Sequence, residues 1–597
     1  MEGDVLIRAR ARVLLSTVSS DAHMWNLVFL QSLIEETGHE VRNLGVCVPD
    51  EVILRECRTW RPDLLVISTV NGHGHLDGRR LIGKLRSDPE LAGLRVVIGG
   101  KLGVLGAGNI AHVESLVRAG FDAVLEADAG VEQFLQMLSD LPRRPSLTGP
   151  AQVHELPEPV TAAPAGPALP PGAPRGRMAS FVARAAAEGR LVVQPRMGFG
   201  TVAQMRAGLE AVRGCRARAV GTVTLDSYTR VGDHESARRS LARGADLNGF
   251  PIVAHGAAVT RAMLDGIQDD DFPVQVRHGS ALPYDIFRSV LDAGADATEG
   301  GPVSYCLPYS RVPLREAVSD WSRSAELLAA AAADGHVVHL ETFGGCMLGQ
   351  LCPPGLLVAL SVLEGLFFRQ RGVPSVSLSY AQQTSLEQDV LAVTALRRLG
   401  DELLSDIDRH TVVYTYMGVF PRTPVGAYRT LEESVRLARL GGAERLIVKT
   451  PAEAHRIPTI TENVEALEFA DAVAALEGPR FPADPGGSDN EVYAEARRLV
   501  DATLALSDDV GTALLRAFRA GLLDVPYCLH ADNANAARAT IDHRGFLQWA
   551  EAGRMPVVAV GRGHGSGNAQ HLLEMLSYNE RRFDRELLPA MRTEVTA

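Results

Sequence analysis

A segment rich in proline, alanine and glycine constrains the fold of this 597-residue chain more than any other feature of its sequence. Ten of the 33 prolines fall between residues 142 and 174. Such a segment cannot bury a hydrophobic core and is typical of an extended, semi-rigid linker. We therefore predict a first domain over 1–137, a linker over 138–177 and a larger second part after it. The length alone also favours two or more domains.

Composition and charge exclude several classes of protein. The formal net charge of −12 argues against nucleic acid or an anionic membrane as a partner. The seven cysteines are odd in number and contain no CxxC pair, which indicates reduced thiols. The opening residues MEGDVLIRARAR do not resemble a signal peptide, and the longest apolar run is too short to span a bilayer. We expect a cytoplasmic protein.

Strand and helix patterns alternate in the first domain. Short apolar, β-branched runs are separated by amphipathic segments of helical length. This alternation predicts an α/β fold, a doubly wound parallel sheet of flavodoxin-like type, which binds ligands beyond the carboxyl ends of its strands. The predicted strands are RVLLSTV, EVRNLGV, DLLVISTV, RVVIGG and FDAVLEA.

The same alternation continues over 178–480, where it predicts a (β/α)8 barrel of the TIM type. The predicted strands are LVVQPR, VTLDS, PIVAH, VQVRHG, HVVHLE, SVSLSY, TVVYTY and RLIVKT, with AGADATEGG as a weaker one. Many of them end in charged or polar residues, at the end of a barrel that carries its active site. Residues 481–597 form a predicted helix-rich extension with one late apolar run, VVAVGRG.

Asp21 and His23 lie between the first predicted strand and the first helix. A histidine there can present a ring nitrogen to a metal while the aspartate accepts from the other nitrogen. Alternatively, Asp21 is a helix N-cap and His23 a surface residue. Ser68-Thr69-Val70 and Gly99-Gly100 follow on later strands, and together these elements resemble the cobalamin-binding signature DxHxxG…SxL…GG.

The resemblance implies base-off, histidine-ligated cobalamin. His23 would be the cobalt ligand and Asp21 would orient it. Ser68 and Thr69 would contact the displaced nucleotide tail, and Gly99 and Gly100 would let the backbone approach that tail.

Two positions depart from the signature. Asn26 stands in place of the last glycine of DxHxxG, and Val70 in place of the leucine of SxL. Asparagine tolerates positive φ better than other non-glycine residues, so we expect the turn to survive.

Arg196, Arg230 and Arg277 stand at or just beyond predicted strand ends. An arginine in a barrel mouth is costly unless it is paired with an anion, and its planar fork suits a carboxylate. Three together would bind a dicarboxylate. Solvated arginines or internal ion pairs are the alternative.

The second part resembles the large chain of glutamate mutase (methylaspartate mutase) over nearly all of 178–597. The matching stretches are QPR, SYTR, LNGFP, QVRHG, EGGPVSYCLPY, VKTPAEAHRIPT and AFRAGLLDVPY. The resemblance implies that the three arginines grip both carboxylates of glutamate. Glu299 would meet the amino group of the substrate, and Tyr305 and Tyr309 would hydrogen-bond a carboxylate.

The resemblance also implies contacts with the adenosyl cofactor. Lys449 and Glu453 would bind its ribose, although they could also form a simple ion pair. The stretch 341–354 is one residue longer than the family pattern, so the cofactor contacts that the family makes there are not carried over to this chain. The other implied cofactor contacts are Gly198, Arg230, Asn248 and Pro308.

The activity implied by the resemblance is an adenosylcobalamin-dependent radical interconversion of L-glutamate and threo-3-methyl-L-aspartate, in a homodimer formed through the barrels. Two alternatives stay open: the same rearrangement of another amino dicarboxylate in specialised biosynthesis, and a non-catalytic cobalamin sensor. This sequence contains no recognisable pyridoxal-binding motif, which argues against a pyridoxal-dependent aminomutase. A methyl-transferring corrinoid protein is disfavoured because the barrel carries the residues of the mutase.

Overall fold

The structure is a computed structural model that describes residues 11–103, 110–126, 130–141, 175–346, 351–477, 490–561 and 568–585. The chain divides into two compact units, Met1–Pro164 with Gly567–Leu572 and Ala165–Ser566 with Leu573–Ala597. Most of the predicted linker, residues 142–174, lies outside the described residues. The predicted domain boundaries therefore stay predictions.

Within its described residues, the first unit is built on a five-stranded parallel sheet of order β2-β1-β3-β4-β5. The strand β3 is buried at every position because helices cover both faces of the sheet, which explains its continuous apolar sequence. The predicted doubly wound, flavodoxin-like sheet is confirmed. Its strands are β1 Arg12–Thr17, β2 Glu40–Asn43, β3 Leu64–Thr69, β4 Arg95–Gly100 and β5 Ala123–Glu126; its helices are α1 Trp25–Glu36, α2 Asp50–Trp60, α3 Gly74–Ser87, α4 Ile110–Ala119 and α5 Gly130–Ser139.

The second unit contains an eight-stranded parallel sheet in which each strand from β7 to β13 pairs with the next in sequence and β13 pairs with β6. Between β6 and β7 the sheet nearly closes, through a bridge of Val193 with Ala219 and a hydrogen bond from Thr224 N to Met197 O of 2.8 Å. The predicted barrel is confirmed. Its strands are β6 Val192–Pro195, β7 Gly221–Thr224, β8 Val274–Arg277, β9 Ala297–Glu299, β10 His339–Glu341, β11 Ser375–Ala381, β12 Asp408–Tyr414 and β13 Arg445–Val448.

Helices surround these strands, and their ends follow ordinary capping rules. Thr201 caps one helix by accepting from Gln204 N, and Gly294 ends another with φ +77°, where a residue with a Cβ would be strained. The helices are α6 Arg177–Ala187, α7 Val202–Arg213, α8 Ser227–Arg230, α9 His234–Ala242, α10 Ile252–His255, α11 Ala257–Leu264, α12 Tyr284–Ala293, α13 Leu314–Ala333, α14 Pro354–Gln370, α15 Leu386–Leu403, α16 Pro424–Gly441 and α17 Ile460–Glu477.

One predicted barrel strand is wrong. The run PIVAH forms the short helix α10, and the weaker run ATEGG supplies β9 instead. An apolar run of four residues fits either a buried strand or a buried helical turn, so periodicity alone could not separate them.

The C-terminal extension contains helices and an antiparallel pair of strands, β14 with β15. In the late apolar run VVAVGRG, the described residues 557–561 form no strand. Among the described helices, none combines the length and the apolarity that crossing a bilayer requires. The elements are α18 Glu491–Leu504, α19 Val510–Ala520, β14 Arg538–Ile541, β15 Leu547–Glu551, α20 Ala569–Leu576 and α21 Tyr578–Arg585.

Candidate functional site

In the first unit, the carboxylate of Asp21 holds the ring of His23. Its Oδ1 lies 2.6 Å from His23 Nδ1 and accepts from the backbone N–H of His23 at 3.0 Å. Its Oδ2 accepts from Val70 N at 2.6 Å and from Asn71 N at 3.3 Å, which ties the loop after β1 to the loop after β3. Asp21 is fully buried, whereas half of the His23 side chain is exposed. The imidazole is thereby held through Nδ1.

The electrostatics of this pair suit a metal ligand. Burial by itself would raise the pKa of the Asp21 carboxyl, but the charge and hydrogen bond of His23, with the backbone donors, hold that pKa below its ordinary value. An ionised carboxylate on one ring nitrogen fixes the tautomer and the orientation of the ring. In the part of the chain that the structure describes, no cluster of three or more His, Cys, Asp or Glu could bind a metal. A single histidine held by a carboxylate in this way fits the ligand that the cobalamin resemblance predicts, and its ligation of cobalt stays a prediction.

The two departures from the signature are compatible with this geometry. Asn26 lies inside α1, so the positive φ that an asparagine tolerates is not required there. Val70 contributes its backbone N–H to Asp21, and a backbone donor does not depend on the side chain.

The ends of β3 and β4 lie side by side, with Ser68 opposite Gly99 and Thr69 opposite Gly100. Gly100 has φ +113°, and a Cβ there would lie 2.0 Å from Thr69 O. A Cβ on Gly99 would lie 2.9 Å from Leu125 O. The approach of neighbouring strands is thus sufficient to require both glycines, and their contact with a nucleotide tail stays a prediction.

In the barrel, Arg277 and Glu299 form a buried ion pair at the ends of β8 and β9. Arg277 Nε donates to Glu299 Oε2 at 2.7 Å, and the two side chains are 4% and 3% exposed. Tyr305 Oη donates to Glu299 Oε1 at 2.5 Å. The structure therefore joins two residues that the sequence assigned separately to the carboxylate and the amino group of a substrate. Those two roles stay predictions.

Arg196, Arg230 and Tyr309 converge on the same end of the barrel. Burial raises the pKa of Tyr309 to about 12, and the positive charges of Arg230 and Arg196 oppose that rise. Arg230 Nε donates to His278 O at 3.0 Å. The Nε of Arg196 is buried and has no hydrogen-bond partner among the described residues. A buried cationic donor of this kind is suited to an anionic ligand.

Lys449 and Glu453 follow β13, at the same end of the barrel. Lys449 Nζ lies 3.6 Å from Glu453 Oε2, which is also 3.8 Å from Arg196 Nη1. The glutamate therefore stands between two cations. Contact of this pair with a ribose stays a prediction.

Three further predicted cofactor contacts have local structural roles. Asn248 accepts from Ser227 N at 3.0 Å and donates to Ser227 Oγ at 2.6 Å, at the start of the helix α8 that carries Arg230. A Cβ on Gly198 would lie 2.3 Å from Thr224 O, so the approach of two strand ends requires this glycine. Pro308 is buried in the turn between Tyr305 and Tyr309.

The family model of the methylaspartate mutase E chain matches residues 173–568, which include every site residue in the barrel. The chain belongs to this family. A model of the B12-binding domain matches residues 11–109, which include Asp21, His23 and the ends of β3 and β4. Together the two matches support an enzyme of the cobalamin-dependent mutase class.

Glutamate mutase epsilon subunits of several organisms are similar to this chain. The glutamate mutase epsilon subunit of Escherichia coli O157:H7 is 30% identical over 397 residues, which cover 64% of this chain and 81% of that protein. The subunit of Halobacterium salinarum is 36% identical over 316 residues, 51% of this chain and 65% of that protein. The subunit of Desulfitobacterium hafniense is 31% identical over 402 residues, 64% of this chain and 82% of that protein.

The stretch 341–354, which the sequence marked as longer than the family pattern, is described only in part. Residues 347–350 lie outside the described residues. On either side of them Cys346 and Cys352 are fully buried.

Sequence reasoning missed a layer of polar side chains inside the barrel. Arg445, at the start of β13, pairs with Glu341, at the end of β10, at 2.5 Å between Nη2 and Oε2, and both are 0% exposed. Tyr414, at the end of β12, is equally buried. Polar residues at inward positions of otherwise apolar strands were the available signal.

Proposed function

We propose that this chain is an adenosylcobalamin-dependent mutase that interconverts L-glutamate and threo-3-methyl-L-aspartate. The observation that carries the proposal is the buried ion pair of Arg277 with Glu299 at the carboxyl ends of β8 and β9, with Arg196 and Arg230 following β6 and β7 at the same end of the barrel. The matches to the mutase family and to the B12-binding domain support it.

The charges of the site suit an amino dicarboxylate. Glu299 neutralises the buried guanidinium of Arg277. A substrate of this class offers a carboxylate to Arg277 and an ammonium to Glu299, so each charge keeps a partner when the internal pair opens. Arg196 and Arg230 are then available for the second carboxylate, which Tyr305 and Tyr309 help to orient. With both carboxylates bound by arginines, the carbon skeleton between them can rearrange without leaving the site.

Adenosylcobalamin, when bound, supplies the radical chemistry of the rearrangement. We infer that His23 ligates the cobalt through Nε2 and that Asp21 keeps the imidazole in position. The nucleotide tail would be held at Ser68, Thr69, Gly99 and Gly100, and the adenosyl group at Gly198, Arg230, Asn248, Pro308, Lys449 and Glu453.

We infer a cytoplasmic homodimer, associated through its barrels. A single polypeptide carries both the B12-binding domain and the mutase E chain, so no added cobalamin-binding subunit is expected to be necessary.

The test is anaerobic incubation of the purified chain with adenosylcobalamin and L-glutamate, with 3-methylaspartate followed by mass spectrometry. Arg277→Lys keeps the positive charge but loses the planar fork, so we expect its product to fall by at least about 100-fold. Arg288→Lys is the matched control, because Arg288 is exposed on α12, and it should retain wild-type turnover.

Two outcomes would redirect the proposal. Wild-type chain that binds cobalamin but makes no 3-methylaspartate would exclude glutamate as the substrate. A screen of other amino dicarboxylates would then separate a related mutase from a non-catalytic cobalamin sensor. Equal turnover by Arg277→Lys and wild type would disprove the proposed role of Arg277 in binding a substrate carboxylate.

A further inference from the structure

Tyr414 links the Arg277–Glu299 pair to a second buried ion pair. Its Oη lies 3.0 Å from Glu299 Oε2 and accepts from Arg277 Nη2 at 3.2 Å. The same oxygen is in direct hydrogen-bond contact with Glu341 Oε1. One phenol therefore touches both members of the first pair and the acid of the second.

The second pair is anchored in the interior of the barrel. Glu341 Oε2 accepts from Arg445 Nη2 at 2.5 Å and from Gln275 Nε2 at 3.2 Å. Arg445 also donates to the side chains of His410, Ser377, Gln194 and Gln275. Two buried arginines thus neutralise two buried glutamates, and such pairing is the condition under which buried charge is tolerated.

The hydroxyl of Tyr414 has a single hydrogen to share between two carboxylates. Burial raises the pKa of this phenol well above its ordinary value, so it remains a donor. A phenol donates one hydrogen bond at a time, so either Glu341 or Glu299 receives it. The guanidinium of Arg277 also lies over the ring of Tyr414, 5.0 Å from its centroid, which keeps the hydroxyl beside the first pair.

We propose that Tyr414, Glu341 and Arg445 are positioning residues of the substrate site, and that the Tyr414 hydroxyl transfers its hydrogen bond from Glu341 to Glu299 when an amino dicarboxylate opens the Arg277–Glu299 pair. This inference rests on the proposed function, because it assumes that Arg277 and Glu299 bind such a substrate. No covalent bond changes in the transfer.

The transfer has a physical reason at each end. When Arg277 turns to a substrate carboxylate, Glu299 Oε2 loses the hydrogen bond from Arg277 Nε. The substrate ammonium replaces the lost charge, and the Tyr414 hydroxyl, 3.0 Å away, replaces the lost hydrogen bond. Glu341 can release the hydroxyl because Arg445 and Gln275 still donate to its other oxygen, Oε2. Without the hydroxyl, the buried Glu299 would have one donor fewer in the substrate complex, which weakens substrate binding.

The experiment is calorimetric titration of L-glutamate into the full chain loaded with cyanocobalamin, which lacks the adenosyl group and therefore does not turn over. The variant Tyr414→Phe keeps the buried ring and removes only the hydroxyl. Tyr416→Phe is the matched control, because Tyr416 is also fully buried but packs in a separate cluster with Phe420 and Ala427. KM and kcat are measured on the adenosylcobalamin-loaded forms of the same proteins.

We expect Tyr414→Phe to weaken L-glutamate binding by about tenfold, the loss of one hydrogen bond to a charged group. KM should rise by a similar factor, while kcat changes less, because the hydroxyl does not touch the reacting atoms. Glu341→Gln, the second variant, should weaken binding in the same direction. Tyr416→Phe should match wild type in all three quantities.

Unchanged binding and KM in Tyr414→Phe would overturn the inference, even if the variant melts at a lower temperature. A lower kcat at unchanged KM would overturn it as well, because it would indicate a general structural role. If wild-type chain itself does not bind L-glutamate, the proposed function fails and the inference fails with it, a result distinct from a failure confined to Tyr414→Phe.

Discussion

Buried acids in this barrel have two kinds of surroundings. Glu299 and Glu341 each face an arginine within hydrogen-bond distance. Asp389, at the start of α15, instead accepts from the neutral donors Tyr380 Oη at 2.8 Å and Gln383 N at 2.9 Å. Burial raises the pKa of Asp389 to about 8 despite these donors.

Asp389 should make the stability of the chain depend on pH. The folded state keeps this proton up to about pH 8, whereas the unfolded chain releases it near the ordinary value of 3.8. The free energy of unfolding should therefore fall as pH rises from about 4 to about 8, by at most about 1.4 kcal/mol per pH unit from this one group. Asp389→Asn should flatten that slope in denaturant unfolding at pH 5, 6 and 7. The exposed control Asp292→Asn should have the wild-type slope of the free energy of unfolding against pH. A wild-type slope in Asp389→Asn would refute the assignment of this pH dependence to Asp389.

At the scale of elements, the helix α14 holds in place two turns at the carboxyl end of the barrel, one after β9 and one after β10. Glu364, fully buried on that helix, accepts from Ser304 N at 2.9 Å and Ser304 Oγ at 3.0 Å, just before Tyr305. It also accepts from Phe343 N at 3.2 Å and Gly344 N at 2.8 Å, just after β10. The position of Tyr305 thus depends on a residue of another element, far along the chain.

Glu364→Gln should loosen both turns. The side-chain amide has the same shape, but one acceptor oxygen becomes an NH2 donor that faces backbone N–H donors. We expect the free energy of unfolding to fall by about 2–3 kcal/mol and KM for the substrate to rise. Denaturant unfolding and steady-state kinetics measure both, with the exposed Glu402→Gln as control. A wild-type denaturation midpoint in Glu364→Gln would contradict the role of this carboxylate.

At the scale of the whole molecule, the presence of both a B12-binding domain and a mutase barrel in one polypeptide has a kinetic consequence. A covalent connection keeps the effective concentration of one domain for the other independent of dilution, provided that the linker spans the distance. A system of separate subunits would lose activity on dilution instead.

We therefore expect turnover without any added protein, at a specific activity that stays constant as the chain is diluted with saturating cofactor. Light scattering should give twice the 64.0 kDa mass of the chain if the barrels form a homodimer. Activity that falls with dilution while the mass stays constant would show that the domains do not act within one assembly.

The sequence by itself determined the two parallel α/β folds and the motifs that carry the site. Apolar periodicity depends only on residues close together in the chain, so it can be read from the sequence, and it predicts β1 to β5 and most of the barrel. The DxH element and the QVRHG and SYTR stretches are contiguous, so they too could be recognised without a structure. The same local signal failed at PIVAH, where a short apolar run fits a helix as well as a strand.

Only the tertiary structure decided which buried charge faces which. Tyr414 meets Arg277 across 137 positions of sequence, and Arg445 meets Glu341 across 104. These neighbours are set by the order and register of strands around the barrel, which place distant inward-facing side chains in one layer. A buried charge has no low-energy state without its partner, so the pairing is a property of the whole barrel and not of any single segment.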